Sequence, residues 1–376
     1  MHAHVHDSVT PRFSTLFQTS AAPPSPMRRL QVHNAVVHRV RGFLQERGFV
    51  EIPVPELTAA TGSCEIVDSM FSLDYFGGLA FPRQTGQLYL EEMVAGGLDA
   101  VYCEGESLRK EWKIDERHLT EFKLIEIERR DTSLEQLCDL QEELVKDVAV
   151  RLHADLIGGA NVTRLDRVIT AEHPRMTYAE ALGVLNGKGF ALAFGDDLDR
   201  EAEAALNVHC GGLPVHVTHY PESLKFFNMK IDRGDPRVVE CVDYVLPFSG
   251  ESFGGSLREP DVDILSRRLY EGSMYGHLMN RAAEFAGARA ASDPAVDEDR
   301  LRELYQAGIG DSFTGYLDLF AEHEVERAGF GLGVARLLQF VMGLASIKDA
   351  VVFPLDRASF GGLQEVADEQ AMAAVG

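Results

Sequence analysis

Three clusters of charged residues and glycines in this sequence combine side chains that could bind a nucleotide. In the first, Arg109 and Glu111 lie on a predicted strand and Phe122 lies on the return strand. Alternate side chains of a strand share a face. The arginine would meet phosphate, the aromatic ring would stack on a base, and carboxylates would hold a cation or an amino group. The alternative interpretation is a solvated edge hairpin with surface ion pairs. Further polar residues of this hairpin are Arg117, His118, Glu121, Glu126 and Glu128.

The second cluster, GESFGGSLRE (250–259), places Glu251 near two glycines and then Arg258. Gly254 and Gly255 would let the backbone approach a ligand closely. Glu251 together with Asp243 could supply oxygen ligands for Mg²⁺. The alternative interpretation is a polar turn between strands.

The third cluster, GFGLGVAR (329–336), is predicted to be a glycine-rich turn that runs into an apolar helix. It differs from the dinucleotide fingerprint because Val334 stands at the third glycine position, and it lacks the Gly-Lys-Ser/Thr of a P-loop. In the alternative interpretation its glycines serve only close packing. Arg336 lies one turn into the helix, and a buried arginine needs an anionic partner, which a phosphate would provide.

Hydrophobic periodicity predicts the elements that position these clusters. A helix is expected over 28–48, and the FVEIPVPEL that follows suits an edge strand because of its prolines. Residues 99–130 are typical of two strands around a polar connection, and Ser133 with Gln136 forms a capping box for a helix over 134–156. Strand and helix runs do not alternate strictly, which favours an α+β fold with a largely antiparallel sheet. Further predicted elements are two helical pieces in 176–206, strands at LPVHVTHYP and CVDYVLPF, and helices over 261–306.

Composition excludes several classes of protein. The 376 residues are 45% hydrophobic and 25% charged, which is ordinary globular composition and excludes disordered and collagen-like chains. The 36 basic and 59 acidic side chains give a net charge of −23, which disfavours non-specific binding to polyanions. The five cysteines form no C-x-x-C pair, and no apolar run reaches the ~18 residues of a membrane helix. We therefore expect a cytoplasmic protein without a membrane partner.

The N-terminal segment lacks the apolar core of a signal peptide. His2, His4 and His6 alternate and could chelate a metal ion, although the expected state of such a segment is a solvated tail. We expect a flexible tail over 1–27.

Taken together, the clusters resemble the three signature motifs of class II aminoacyl-tRNA synthetases, and among these the catalytic domain of the asparaginyl enzymes in the aspartyl/asparaginyl/lysyl group. The helix over 28–48 with FVEIPVPEL resembles motif 1, LRKEWKIDERHLTEFKLIEIE resembles motif 2, and GFGLGVARLLQFVMGLASIKDAVVFP resembles motif 3. The resemblance runs from about residue 28 to 357 and implies an antiparallel sheet flanked by helices. It implies one catalytic domain over 28–376, with a helical insertion at about 261–312.

The resemblance implies roles in binding ATP and Mg²⁺. Arg109 would contact the α-phosphate, Phe122 would stack on adenine opposite Arg336, and Asp243 with Glu251 would hold Mg²⁺. The implied catalytic residues are Arg109, Arg336 and Glu251. The implied ATP contacts are Arg109, Glu111 (beside the adenosine), Arg117 and His118 (on the β,γ-phosphates), Phe122, Glu251, Gly333 and Arg336.

The same resemblance implies the amino-acid site. Glu65 and Gln87 would face the ammonium group and backbone, and Arg258 would bind the side-chain carboxylate or amide oxygen. Aspartyl enzymes carry lysine where this chain has Leu90, whereas Glu91 would accept from an amide nitrogen. Because a carboxylate facing a carboxylate is repelled, asparagine is expected to fit better than aspartate.

Three departures from the family shape the functional expectation. Only about 27 residues precede motif 1, where the family carries an anticodon-reading barrel. Leu355 replaces an arginine of motif 3, and Arg327 stands where the family has histidine. The segment 261–312 is longer than its counterpart and richly charged.

We therefore expect a stand-alone homodimer that activates an asparagine- or aspartate-type amino acid with Mg·ATP. The acyl group would pass to a small nucleophile, either ammonia, which gives asparagine from aspartate, or an amine or hydroxyl of a biosynthetic pathway. The alternatives are tRNA charging through the acceptor stem alone, with tRNA a doubtful partner, and a non-catalytic amino-acid-sensing paralogue.

Overall fold

The computed structural model describes residues 23–59, 69–76, 78–111, 115–153 and 160–360. Its strands are β1 (Val50–Glu51), β2 (Leu57–Thr58), β3 (Leu73–Tyr75), β4 (Gly78–Pro82), β5 (Ala100–Leu108), β6 (Glu121–Arg130), β7 (Arg175–Thr177), β8 (Val215–Thr218), β9 (Cys241–Leu246), β10 (Gly250–Leu257) and β11 (Arg327–Gly333). Its α-helices are α1 (Pro26–Glu46), α2 (Gln87–Ala95), α3 (Leu134–His153), α4 (Ala160–Thr170), α5 (Tyr178–Asn186), α6 (Arg200–His209), α7 (Val262–Glu271), α8 (Ser273–Ser292), α9 (Glu298–Glu322) and α10 (Val334–Met342).

A large mixed sheet organises the molecule. Eight strands pair in the order β1-β5-β6-β11-β10-β9-β8-β7. The two outermost pairs, β1 with β5 and β7 with β8, are parallel, and the pairs between them are antiparallel. The predicted α+β class with a largely antiparallel sheet flanked by helices is confirmed.

The two faces of the sheet differ in chemistry. Ile125 and Ile127 of β6 belong to the main core, which includes apolar side chains of α1, α3, α4 and α10. The alternate residues Glu126 and Glu128 are buried on the opposite face, which also carries Asp243. This polar face is where the predicted site residues converge.

Several local predictions are confirmed. Ser133 and Gln136 exchange the hydrogen bonds of a capping box at the start of α3, at 3.2 and 2.9 Å. The predicted helix near 28–48 begins at Pro26, because Ser25 caps it and proline suits the first helical position. Positions 26 and 27 therefore belong to the helix and not to the predicted tail. Residues 1–22 and 361–376 lie outside the described residues.

Two predictions differ from the structure. The glycine-rich segment that was predicted to be a turn is the strand β11, because β6 and β10 pair with it on both sides. FVEIPVPEL forms only two short strands, β1 at the edge of the large sheet and β2 in a separate sheet ordered β2-β4-β3.

The helices α7, α8 and α9 form a unit beside the polar face, with its own apolar cluster. They cover the segment of about 261–312 that was predicted to be an insertion, and α9 continues to Glu322. Across the described ranges, no helix combines the length and apolarity needed to cross a membrane.

Candidate active site

A cavity of about 430 Å³ opens on the polar face of the sheet. Its walls come from the hairpin β5–β6, the strands β9 and β10, and the starts of α6 and α10. The structure brings into this one cavity all of the residues predicted to contact ATP or Mg²⁺: Arg109, Glu111, Arg117, His118, Phe122, Asp243, Glu251, Gly333 and Arg336. Their clustering comes from sheet order, because the three sequence clusters lie on strands β5–β6, β9–β10 and β11–α10.

A β-bulge explains how two carboxylates share one part of the wall. The register between β9 and β10 shifts between Glu251 and Phe253, so the alternation of side chains slips by one residue. Glu251 and Asp243 then both approach Gly254, where the position of an added Cβ lies 2.9 Å from Glu251 Oε1 and 3.9 Å from Asp243 Oδ1. A Cβ at this position would be too close to Glu251 Oε1 and in ordinary van der Waals contact with Asp243.

Arg117 is held by a carboxylate from another element. Its Nη2 donates to Glu203 Oε2 of α6 at 2.5 Å, and the backbone N–H of Glu251 donates to Glu203 Oε1 at 2.9 Å. Gly250 has φ +72°, and a Cβ there would overlap both members of the Arg117–Glu203 pair. The turn into β10 therefore requires glycine for its conformation and for space.

Arg336 projects from the first turn of α10. It donates through Nη1 to the backbone carbonyl of Glu251, and among the described residues it has no ion pair with a carboxylate. Burial, with the nearby positive charge of Arg117, lowers the pKa of Arg336 below its ordinary value. An anion in the cavity would compensate this charge.

The remaining cavity residues of the hairpin form a polar and aromatic wall. The Arg109 guanidinium lies 5.2 Å from the ring centroid of Phe122. His118 Nδ1 lies 2.8 Å from Asp115 Oδ1, which also accepts from the backbone N–H of Arg117 at 2.8 Å. An aromatic ring beside guanidinium groups suits a nucleobase with its phosphates.

The acidic pair fits a hard cation that is shared with phosphate oxygens. Mg²⁺ in such sites takes one or two protein carboxylates and completes its shell with water and phosphate. Asp243 also pairs with the buried Lys225, whose Nζ lies 2.8 Å from Oδ2. Within the described part of the chain, no group of three or more metal-ligating side chains is present.

A second cluster of predicted residues lies in the protein interior and does not line the cavity. Gln87 Nε2 donates to Glu128 Oε2 at 2.5 Å, and Arg258 Nε donates to the same oxygen at 3.3 Å. Burial raises the pKa of Glu128 to about 7, with Arg258 opposing the shift and Glu91 adding to it. Glu65 lies outside the described residues.

The second cluster is centred on Glu91, which is fully buried. Its Oε1 accepts from Asn228 Nδ2 at 2.7 Å, and its Oε2 accepts from the Tyr316 hydroxyl at 2.7 Å. Arg327 donates to the same Oε2 through Nε at 3.0 Å and Nη2 at 2.6 Å. Protein donors therefore occupy both oxygens of the carboxylate that was predicted to read a substrate amide.

Sequence reasoning overlooked several partners: Glu203, Lys225, Asn228 and Tyr316. Glu203 had a detectable signal, because it lies three residues before Leu206 on α6 and so occupies the apolar face of that helix. Lys225 and Asn228 lie between regular elements, where periodicity gives no signal.

Comparison with known proteins agrees with this architecture. A model of the family described as class II tRNA synthetases (D, K and N) matches residues 22–357. The asparagine–tRNA ligase of Pelotomaculum thermopropionicum is 32% identical over 330 residues, covering 86% of this chain and 68% of the relative. The asparaginyl-tRNA synthetase of Mus musculus is 30% identical over 352 residues, covering 86% and 66%.

A solved structure gives the same result at the level of the fold. The asparaginyl-tRNA synthetase of Pyrococcus horikoshii, in complex with asparaginyl-adenylate, superposes with a TM-score of 0.74 at 31% identity. The match covers 89% of this chain and 69% of that one. The chain thus spans about two thirds of the length of the proteins it matches.

Proposed function

The chain belongs to the class II tRNA synthetase family of aspartyl, lysyl and asparaginyl enzymes and is an ATP-dependent ligase of that kind, and we propose that it forms an aminoacyl adenylate from an asparagine- or aspartate-type amino acid. The observation that carries this proposal is the single cavity that collects Arg109, Arg117, Arg336 and Phe122 beside the two carboxylates. This combination suits a nucleoside triphosphate and its cation.

In the proposed first step, a carboxylate oxygen of the amino acid attacks the α-phosphorus of ATP. The new O–P bond forms as the bond to pyrophosphate breaks, and the electron pair leaves with pyrophosphate. Arg109 and Arg336 bind phosphate oxygens and stabilise the charge that develops there, so catalysis consists of positioning and electrostatics, with no covalent protein intermediate. Asp243 and Glu251 would hold Mg²⁺, which when bound neutralises charge on the phosphates.

In the proposed second step, a small nucleophile attacks the acyl carbon and AMP leaves. Ammonia, an amine or a hydroxyl would lose a proton and form an amide or an ester. The net charge of −23 supports a small acceptor over a polyanion. Transfer to tRNA is the second candidate function, because the relatives are asparagine–tRNA ligases.

Amino-acid-dependent exchange between ATP and pyrophosphate tests both steps. We expect exchange with aspartate, asparagine or an analogue in the absence of tRNA, and AMP release on addition of ammonia or a small amine. Absence of exchange with every amino acid would refute adenylation and favour the sensing alternative. AMP release that requires tRNA would refute the small acceptor.

Arg336→Ala gives a direct test of the cavity. We expect the exchange rate to fall by about a hundred-fold or more, because one charged donor to the reacting phosphates is removed. The matched control is Arg302→Ala, which removes a partly exposed arginine of α9 that pairs with Asp299. Normal exchange in folded Arg336→Ala protein would show that the ATP site has been wrongly assigned.

We also propose a homodimer formed through α1 and β1, the elements that resemble motif 1. β1 lies at the end of the large sheet, and Met27, Leu30 and Val50 expose large apolar side chains on these two elements. A sheet edge next to exposed apolar side chains suits association with a second copy.

A further inference from the structure

Arg327 is the residue that limits which ligand groups Glu91 can bind. It is 1% exposed, contacts the Phe320 ring with its guanidinium 3.7 Å from the centroid, and donates twice to Glu91. A guanidinium in this position neutralises the charge of the Glu91 carboxylate. Its two hydrogen bonds also occupy the Glu91 oxygen that would otherwise accept from a ligand. Tyr316 and Asn228 donate the further hydrogen bonds that the Glu91 oxygens accept.

The resemblance places the substrate side chain against Arg258 and Glu91, and two consequences follow for a side chain bound there. An amide N–H₂ would find the Glu91 oxygens already accepting from protein donors, and a buried amide without an acceptor is disfavoured. A carboxylate needs no acceptor, and the repulsion expected from Glu91 is offset by Arg327, which is in contact with it.

Donors for a carboxylate are present in the same cluster. Arg258 Nε lies 3.8 Å from Glu91 Oε1, and the other described partners of the Arg258 side chain are Glu128 and Ser256. The two acidic and two basic side chains, Glu91, Glu128, Arg258 and Arg327, balance when all are ionised. Because burial raises the pKa of Glu128 to about 7, partial protonation of Glu128 leaves the cluster with a positive excess near neutral pH.

We propose that Arg327, assisted by Tyr316, sequesters Glu91 from the substrate and changes the side-chain selectivity of the site from an amide to a carboxylate, so that an aspartate-type amino acid is activated in preference to asparagine. This inference rests on the proposed adenylating function and deepens it. Arg327 acts through Glu91 and is therefore a positioning residue. Tyr316 comes from α9, so the helical insertion takes part in substrate selection.

The test is the ratio of kcat/KM for aspartate to that for asparagine in ATP–pyrophosphate exchange. We expect the wild-type protein to favour aspartate. Arg327→Met keeps the bulk and removes the charge, and should lower the ratio at least ten-fold. Arg327→Lys keeps the charge and should largely retain the preference. Glu91→Gln removes the negative charge and should move the ratio the opposite way, further toward aspartate.

A milder pair of variants covers the case in which Arg327→Met fails to fold. Tyr316→Phe removes one donor to Glu91 and should shift the ratio toward asparagine by a few-fold. Tyr305→Phe is its matched control, because Tyr305 lies on the same helix and its buried hydroxyl has no hydrogen-bond partner among the described residues. It should leave the ratio unchanged.

The outcomes separate the two proposals. Preferential exchange with asparagine by the wild-type protein would overturn the selectivity while leaving adenylation intact. An unchanged ratio in both Tyr316→Phe and Glu91→Gln would likewise overturn it. Exchange with neither amino acid nor any analogue of them would overturn both proposals together.

Discussion

Arginines around the site differ in how their charge is compensated. Arg117 pairs with Glu203 and Arg327 pairs with Glu91, both through contacts of 2.5–2.6 Å. Arg336 has only a carbonyl oxygen as its partner among the described residues. Because a partly buried guanidinium without an ion-pair partner favours a nearby anion, Arg336 suits a phosphate ligand.

Glu128→Gln tests the electrostatics of the interior cluster. Burial raises the pKa of Glu128 from its ordinary value of 4.5 to about 7, so the folded protein holds a proton between these pH values that the unfolded chain does not hold. This group therefore favours folding at low pH, and its contribution is lost as pH rises through about 7. We expect the variant to lose this part of the pH dependence of the free energy of unfolding, measured by urea denaturation.

The control for that experiment is Glu322→Gln, which changes an exposed carboxylate of α9. It should leave the pH dependence of unfolding as in the wild-type protein. Equal pH dependence in Glu128→Gln and wild-type protein would show that Glu128 titrates normally.

At the scale of single residues, motif spacing predicts which side chains line the cavity but not which partners they take. Arg117 and Glu251 could be identified from their sequence clusters. Glu203 is 86 residues from Arg117 in the chain, and Tyr316 is 225 residues from Glu91. Such pairs depend on how α6 and α9 pack on the sheet, which local pattern does not encode.

At the scale of elements, the departures from prediction arise from strand pairing. β11 was predicted to be a turn because its glycines carry no β signal. Gly329 nevertheless lies opposite Glu128 in β6, and a Cβ there would overlap the Glu128 carboxylate. The glycines thus make room for the interior cluster, which partly bears out the packing interpretation. Hydrophobic periodicity did not predict the bulge in β10 either.

Gly250→Ala tests the turn that supports Arg117. Alanine at φ +72° is strained, and its Cβ would overlap the Arg117–Glu203 pair, so we expect a loss of roughly 1–2 kcal/mol from the left-handed conformation alone. The displaced Arg117 should also raise KM for ATP. Thermal denaturation and exchange kinetics measure the two effects.

The matched control is Gly308→Ala on α9, where an added Cβ has nothing within 4 Å. It should be neutral or stabilising by about 0.5–1 kcal/mol, because alanine favours helix more than glycine does. Equal thermal stability of Gly250→Ala and wild-type protein would contradict the role assigned to this turn.

At the scale of the whole molecule, one sheet supports two separate environments. Its apolar face holds the main core, and its polar face holds the cavity and the interior charged cluster. The fold class was predictable because strand and helix runs are long and do not alternate. The short strands and their parallel pairing at the sheet edges were not predictable, because pairs of two or three residues depend on tertiary packing.

The oligomeric state is a property of the whole molecule. We expect the protein to sediment as a dimer, because β1 ends the large sheet and exposes Val50. Val50→Asp should shift it toward monomer, since a charge on an edge strand opposes pairing with another copy. Val150→Asp is the control: the two valines are similarly exposed, at 49% and 50%, but Val150 lies on α3. Dissociation by Val150→Asp but not by Val50→Asp would place the dimer contact away from β1. A monomeric wild-type protein would exclude the dimer.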